Sequence, residues 1–520
     1  MRQEHRVDIP ENLTRRWAKH VREKGWSERT AFHADGRAWT FAEVFDGAAR
    51  VAAGYRSHGL RTGDRVLLAF PDSVEMVWCL LGAWQAGLVA VPVNVQMSRE
   101  DLTRDVVTAE PALVVVDPET AGWLGDGGSA PTSEVGPLVA AEPEEVFATG
   151  GDAAALAVFT SGTTGAPKLC FFRHRDLGAP RAPGLVSGPD TVGLSVSRMY
   201  FVGGLSASVF TTLETGQVAV LSRPRATPAA AVELMRRHNV TVLFAQPSFL
   251  ARLLLEPGHA EVLGNVRQAF CAGEVLTARL REQLVPIMGP RLLNTYGTTE
   301  AGGVAVGPPA VYDVPSAVGP PLPGRPVRVV DADGQELPTG GRGELHIRVP
   351  VATRGVARGS LGPDILTDVW WPTGDLASID ENGVVHAHGR LDDVEVIGGQ
   401  NVVPSEVERL LESHPRVLEA AVSSVRRPAG DTSLRAYVVA AAAPGSSDEG
   451  PVRGDDALAA ELVELARSTL SWYKVPQDVV WLDTLPRNGN GKVLRRVLRA
   501  QGDEFVQPHR HYPASNMPRT

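Results

Sequence analysis

The stretch from Phe159 to Lys168, FTSGTTGAPK, combines glycine, hydroxyl and lysine side chains in the manner of a phosphate cradle. Gly162 and Gly165 let the backbone turn its N–H groups inward. Thr160, Ser161, Thr163 and Thr164 add neutral hydroxyl donors, and Lys168 adds a movable positive charge. A nucleotide triphosphate is the expected occupant. The usual NTPase pattern G-x-x-x-x-G-K-[ST] is not met. Ala166 and Pro167 separate the second glycine from the lysine, and Leu169 stands where the magnesium-binding hydroxyl would be. On these residues alone, a polar turn after a buried strand remains the competing reading.

Four further segments carry polar groups of the right kind for such a ligand. NTYGTTEAGG, from Asn294 to Gly303, sets threonine hydroxyls beside Glu300 at a strand end. That donor set suits magnesium, which prefers oxygen ligands and takes few from protein. Tyr296 could stack on a purine. TGDLA supplies Asp375, a carboxylate able to accept from both hydroxyls of a ribose, and GRLDD supplies Arg390, able to close the same sugar from the other side. LPRNGNGKVLRR places Lys492 in a glycine-rich loop before a basic helix, from which a lysine can reach a distant site. Each of these segments, taken singly, also reads as a solvated surface turn.

The elements that must position these residues follow a βαβ rhythm. Thr40 and Glu43 form a capping box ahead of FAEVFDGAARVAAGYRSHG, and RVLLAF, VAVPVN, ALVVVD, QVAVLS, VTVLFA and VRQAFCAG alternate with helical patterns. Residues 118–151 read as an excursion rich in Gly, Pro, Ser and Glu. Beyond Gly302 a proline-rich stretch leads to GELHIRV and GVVHAHGRL, the strands of a β-rich subdomain. After Asp392 the helix SEVERLLES and the strands VLEAAVSSV, LRAYVVAA and DVVWLD form a compact unit. The expected fold is α/β. A large N-terminal domain of βαβ sheets spans 1–391, with its β-rich subdomain at about 303–391, and a small mobile α+β domain spans 392–502. The tail, 503–520, has nothing to pack.

Bulk properties narrow the partners. The chain has 520 residues, 43% hydrophobic and 21% charged, with a net charge of -9. Scattered Lys and Arg exclude a nucleic-acid footprint, and no run reaches the length of a membrane span. The start MRQEHRVDIPENLTRRW lacks the apolar core of a signal peptide, so a cytoplasmic location is expected. Cys79, Cys170 and Cys271 are too scattered for a disulfide framework or a zinc site, and His174, His386 and His388 lack ligand spacing, so no transition metal is assigned.

In order and spacing, FTSGTTGAPK, NTYGTTEAGG, TGDLA, GRLDD through PSEVE, and LPRNGNGK resemble the signature of the adenylate-forming superfamily. That superfamily holds acyl- and aryl-CoA synthetases, luciferase-like enzymes and peptide-synthetase adenylation domains. The resemblance spans about Asn12 to Arg499 and is greatest to benzoate-type ligases. It implies that ATP and Mg2+ convert a small carboxylic acid to acyl-AMP with loss of pyrophosphate, and that a thiol then captures the acyl group. The thiol would be coenzyme A or the phosphopantetheine of an acyl carrier protein. A non-catalytic relative and a Walker-type NTPase are the other readings, and the protein would be a monomer or homodimer.

The same resemblance implies residue roles. Thr160, Ser161, Gly162, Thr163, Thr164, Gly165 and Lys168 would grip the β- and γ-phosphates. Glu300 and Thr164 would hold magnesium, and Thr299 the α-phosphate. Gly273, Glu274, Val275, Asn294, Thr295, Tyr296, Gly297 and Thr298 would frame the nucleotide, with Asp375 and Arg390 on the ribose. Lys492 would bridge the carboxylate and the α-phosphate. Phe201, Val202, Gly204, Gln246, Ala272, Gly297 and Gly302 would line the acid pocket. Asp392 would be the hinge about which the C-terminal domain swings, bringing Gly398 and Gly399 to the thiol tunnel. Two departures stand out. Val396 replaces a lysine common in the family, and Phe201 replaces a histidine frequent in acyl-CoA members. No aspartate stands in RMYFVGGLSAS to pair with an α-amino group, which favours a flat apolar acid, a substituted benzoate above a medium aliphatic one.

Overall fold

The computed structural model describes residues 11–97, 99–121, 130–143, 147–161, 167–178, 184–312, 314, 316–353, 365–391, 393–397, 400–426, 432–441, 455–487, 493–500 and 511–512. Short apolar runs such as LVVV, Leu113–Val116, are buried on both faces, as a parallel sheet covered by helices requires. A six-stranded sheet orders Thr132–Glu134, Leu113–Val116, Arg65–Ala69, Val89–Pro92, Ala154–Ser161 and Pro167–Arg173. An eight-stranded sheet runs Gly302–Gly307, Leu292–Thr298, Gln268–Ala272, Val242–Ala245, Val192–Ser195, Val218–Val220, Thr30–Ala34 and Arg37–Thr40. In both sheets the interior pairings are parallel; antiparallel hairpins close both edges of the eight-stranded sheet and one edge of the six-stranded sheet.

Helices hold these sheets through tightly capped ends and aromatic packing. The capping box at Phe41–Ser57 forms as the sequence predicts, with Thr40 Oγ1 accepting from Glu43 N and Glu43 accepting from Thr40 N at 2.8 Å. Trp17, Trp84 and Phe210 meet in one fully buried cluster, and the Trp84 indole donates to Ala155 O at 2.6 Å. His174 is fully buried beside it. Its Nδ1 accepts from Leu13 N at 3.3 Å, and burial pushes the imidazole down to about 4, so it is a neutral structural residue.

A five-stranded antiparallel sheet follows, with Val327–Val330, Gly343–Thr353, Ile365–Ile379, Val385–Arg390 and Ala317–Gly319 as neighbours. The C-terminal residues pack a core of their own around Val407, Leu411, Val422, Val438, Leu462 and Trp481. Two sequence expectations change. The excursion at 118–151 contains a strand, Thr132–Glu134, paired in parallel with Leu113–Val116, followed by the helix Val135–Val139. Three residues are too few to display a strand period. In the tail, expected to have nothing to pack, His511 and Tyr512 pair in parallel with Trp481 and Leu482.

Candidate active site

The strand Leu292–Thr298 turns back at Thr299–Ala301 into Gly302–Gly307, and this hairpin forms one wall of the site. Its tightness depends on Gly297. An added Cβ there would lie 2.4 Å from the Gly302 carbonyl oxygen. Thr298 Oγ1 accepts from Ala301 N at 3.1 Å and pins the turn that carries Glu300. Asn294 is buried and donates to Ala317 O at 3.0 Å, tying the hairpin to the five-stranded sheet. Thr295 Oγ1 donates to Cys271 O at 2.9 Å.

Asp375 and Arg390 are direct register partners in adjacent antiparallel strands. Arg390 Nη1 donates to Asp375 Oδ1 at 3.2 Å and to Thr373 O at 2.8 Å. The Tyr296 hydroxyl donates to Asp375 Oδ2 at 2.5 Å. Burial, reinforced by the Asp375 charge, raises the Tyr296 hydroxyl well above its ordinary range, so it keeps its proton and remains the donor. Each carboxylate oxygen retains lone-pair capacity for a further donor such as a sugar hydroxyl.

Glu274 follows the strand Gln268–Ala272 and turns toward the first turn of the helix Pro247–Leu253. Its Oε2 accepts from Ser248 N and its Oε1 from Ser248 Oγ, both at 2.9 Å. The C-terminal unit meets the same segment. Arg487 Nη1 lies 3.2 Å from Glu274 Oε1, and Arg487 Nη2 lies 2.9 Å from Glu419 Oε1. Arg279 donates to the backbone carbonyls of His414, at 3.3 Å, and Val417.

These walls enclose a cleft of about 1310 Å³. Of the sequence-predicted residues, Gly273, Glu274, Val275 and all of Asn294 to Glu300 line it, with Asp375, Arg390 and Phe201. Val493, immediately after Lys492, also lines it. Val202, Gly204, Gln246, Ala272 and Gly302 are not on its surface. Gly204 instead packs under the backbone of Arg198, whose carbonyl oxygen an added Cβ would approach to 2.0 Å. Thr160, Ser161 and Lys168 lie in strands, but their own side chains are outside the described residues, as are Gly162, Thr163, Thr164, Gly165, Asp392, Gly398, Gly399 and Lys492. Thr160 pairs with Lys168 across an antiparallel hairpin, so the glycine-rich motif joins two strands, whereas the NTPase loop joins a strand to a helix. Ser248, Arg279 and Arg487 were missed by sequence reasoning. Arg487 carries a signal, its place inside LPRNGNGK; the other two carry none.

The AMP-binding enzyme model matches residues 18–359, and the AMP-binding enzyme C-terminal domain model matches 406–492. The chain belongs to the AMP-binding, adenylate-forming family. It is an adenylate-forming ligase that activates acids, and enzymes of this family use ATP and Mg2+. A p-hydroxybenzoic acid–AMP ligase of Mycobacterium tuberculosis is 36% identical over 496 residues, covering 94% of this chain and 69% of the relative. A fatty acid–[acyl-carrier-protein] ligase of Streptomyces coeruleorubidus is 29% identical, covering 91% of this chain and 95% of the relative. The solved benzoate CoA ligase from Burkholderia xenovorans LB400 superposes with a TM-score of 0.81 at 26% identity, covering 94% of this chain and 99% of the other. Among the described residues, no helix is long and apolar enough to cross a membrane.

Proposed function

We propose that this family member activates a flat aromatic carboxylic acid and transfers its acyl group to coenzyme A. In the first half-reaction a carboxylate oxygen bonds to the α-phosphorus of ATP, the bond to the bridging β-phosphate oxygen breaks, and pyrophosphate leaves. In the second, a thiolate bonds to the acyl carbon and AMP departs. The observation that carries this reading is the gathering of Tyr296, Asp375, Arg390 and Glu300 in one cleft with the apolar Phe159 and Phe201.

Asp375 and Arg390 hold the ribose in this reading, and Tyr296 lies against the adenine, framed by Gly273 to Val275. The oxygens of Glu300 and its threonine neighbours fit a hard cation, and Glu300 with Thr164 would hold magnesium. When bound, the ion supplies positive charge to the phosphate oxygens. The hydroxyls of Thr160 to Thr164 and Lys168 grip the leaving pyrophosphate. Lys492 sits between carboxylate and α-phosphate and offsets charge as the transition state forms. The acid is already an anion, so positioning and electrostatics carry the step without a general base. Asp392 is the hinge, and Gly398 with Gly399 lines the thiol path. Domain limits at 391 and 502 go with this reading.

Phe201 and Phe159 supply an apolar wall, and the named substrates p-hydroxybenzoic acid and benzoate of two relatives support a benzoate-type acid. A pyrophosphate-release screen across benzoates, hydroxy- and aminobenzoates, cinnamates and short aliphatic acids tests it. Benzoates are expected to exceed aliphatic acids at least tenfold in kcat/KM, roughly the discrimination of one or two methylene-sized contacts. A preference for aliphatic acids overturns the aromatic assignment, and no release with any acid overturns the function.

A second reading replaces coenzyme A with a carrier-protein phosphopantetheine. It is favoured by the relative named as an acyl-carrier-protein ligase and by one named for adenylate formation alone. Radiolabelled transfer to coenzyme A against transfer to candidate carriers separates the two.

A further inference from the structure

We infer that Arg487 is a positioning residue for adenylation, seating the segment that carries Lys492 by pairing with Glu274 and releasing that contact for thiol transfer. This rests on the functional reading above. Ser248 holds both oxygens of Glu274 at 2.9 Å from within the N-terminal unit, so the carboxylate is a preset socket. Into it comes Arg487 at 3.2 Å, from the C-terminal unit. Arg487 and Val493 are partners in an isolated antiparallel bridge, so Arg487 stands at one end of the residues containing Lys492 and is tied to the other. Fixing Arg487 therefore fixes where the whole segment begins and returns, which lowers the entropy cost of delivering a lysine to the phosphates.

The pair is also built to separate. Arg487 keeps Glu419 of its own unit at 2.9 Å, and Glu274 keeps Ser248, so parting strands neither charge. Both partners are partly open to water, at 24% and 16% side-chain exposure, which limits the cost of rehydration. Arg279, only five positions beyond Glu274, makes the neighbouring contacts through backbone carbonyls of His414 and Val417, which water can replace. The C-terminal unit thus grips the segment just after Gly273, beside the proposed adenine site, and a bound nucleotide and the seated lysine share one support.

The test uses full-length Arg487→Ala, Arg487→Lys, Glu274→Gln and the double variant Arg487→Ala/Glu274→Gln. Rapid-quench pyrophosphate release reads adenylation, thioester formation from preformed acyl-AMP reads transfer, and hydrogen exchange reads the backbone of 274–280. Arg487→Ala is expected to slow adenylation about 10- to 100-fold, the range for losing a charge-assisted contact, while transfer stays within about twofold. In adenylation alone Glu274→Gln should match Arg487→Ala, its place beside the proposed adenine site leaving its transfer rate out of the comparison, and the double variant should adenylate no more slowly than the worse single one, since the two act as a unit. Arg487→Lys should recover part of the rate, and 274–280 should exchange faster in Arg487→Ala alone among the N-terminal peptides. Equal loss of both half-reactions, additive losses, or unchanged adenylation in an active background each overturn the inference. Wild-type protein that releases no pyrophosphate with any acid overturns the functional reading, and this inference with it.

Discussion

Two arginine–carboxylate pairs face the same cleft and are nearly identical by the usual measures. Arg390 and Asp375 lie 3.2 Å apart at 25% and 18% side-chain exposure, and Arg487 and Glu274 lie 3.2 Å apart at 24% and 16%. Their supports differ. The first pair is 15 residues apart on adjacent strands in direct register, with Tyr296 and Thr373 adding bonds from either side. The second is 213 residues apart and joins units with separate cores. Distance and burial therefore do not say whether an ion pair is permanent; the backbone behind it does. A pair locked by strand register suits a ligand held through both half-reactions, and a pair whose partners are each braced within their own unit, with no shared register between them, suits a contact made in one.

The largest expected effect sets the scale for that contrast. Lys492→Ala should reduce adenylation by roughly 10³-fold, as removal of a transition-state charge partner does, and leave thiol capture of preformed adenylate within about threefold. Quenched-flow measurement of both steps checks it, and a matched loss in both would place Lys492 outside the first step. Asp375→Ala should differ in kind, raising the apparent dissociation constant for ATP and for acyl-AMP alike by about 10- to 100-fold, as loss of charged hydrogen bonds does. An effect on ATP alone would break the claim that the register-locked pair serves both steps. Gly297→Ala, which forces a Cβ against the Gly302 carbonyl, should cost about 1–3 kcal/mol by overpacking and slow adenylation about tenfold; a melting curve with the rate separates the two consequences. Tyr296→Phe deletes one brace of Asp375 and leaves its register intact, so ATP binding should weaken by only about three- to tenfold, the worth of one hydrogen bond. Smallest is the effect of salt. Raising ionic strength about tenfold should slow adenylation by about two- to threefold through screening of the Arg487 contact while transfer hardly changes.

Much of this was legible in the sequence because the signals were local. The Thr40 capping box and the buried LVVV run each announce themselves within a few residues, and each forms. One wall of the cleft was legible for a different reason: Asn294 to Glu300 is contiguous, so one motif brings seven lining residues together. Residues that act through partners far along the chain left no such trace. Nothing near Ser248 reveals that it aims Glu274, and nothing near Arg279 reveals carbonyls some 135 residues away. Gly204 serves helix packing under Arg198, and a small residue in sequence looks the same whether it makes room for a ligand or for backbone.

The edge hairpin of Ala154–Ser161 and Pro167–Arg173 bears on turnover. A phosphate loop that opens a helix is backed by about half an elementary charge of fixed dipole, which favours a lasting hold on an anion. Here a strand follows the glycines, so if this loop grips the phosphates as proposed, that fixed charge is missing and the attraction would come from Lys168 and the hydroxyls of Thr160, Ser161, Thr163 and Thr164. An enzyme whose first product is pyrophosphate profits from a weak standing field: the product is free to diffuse away once the bond is cut.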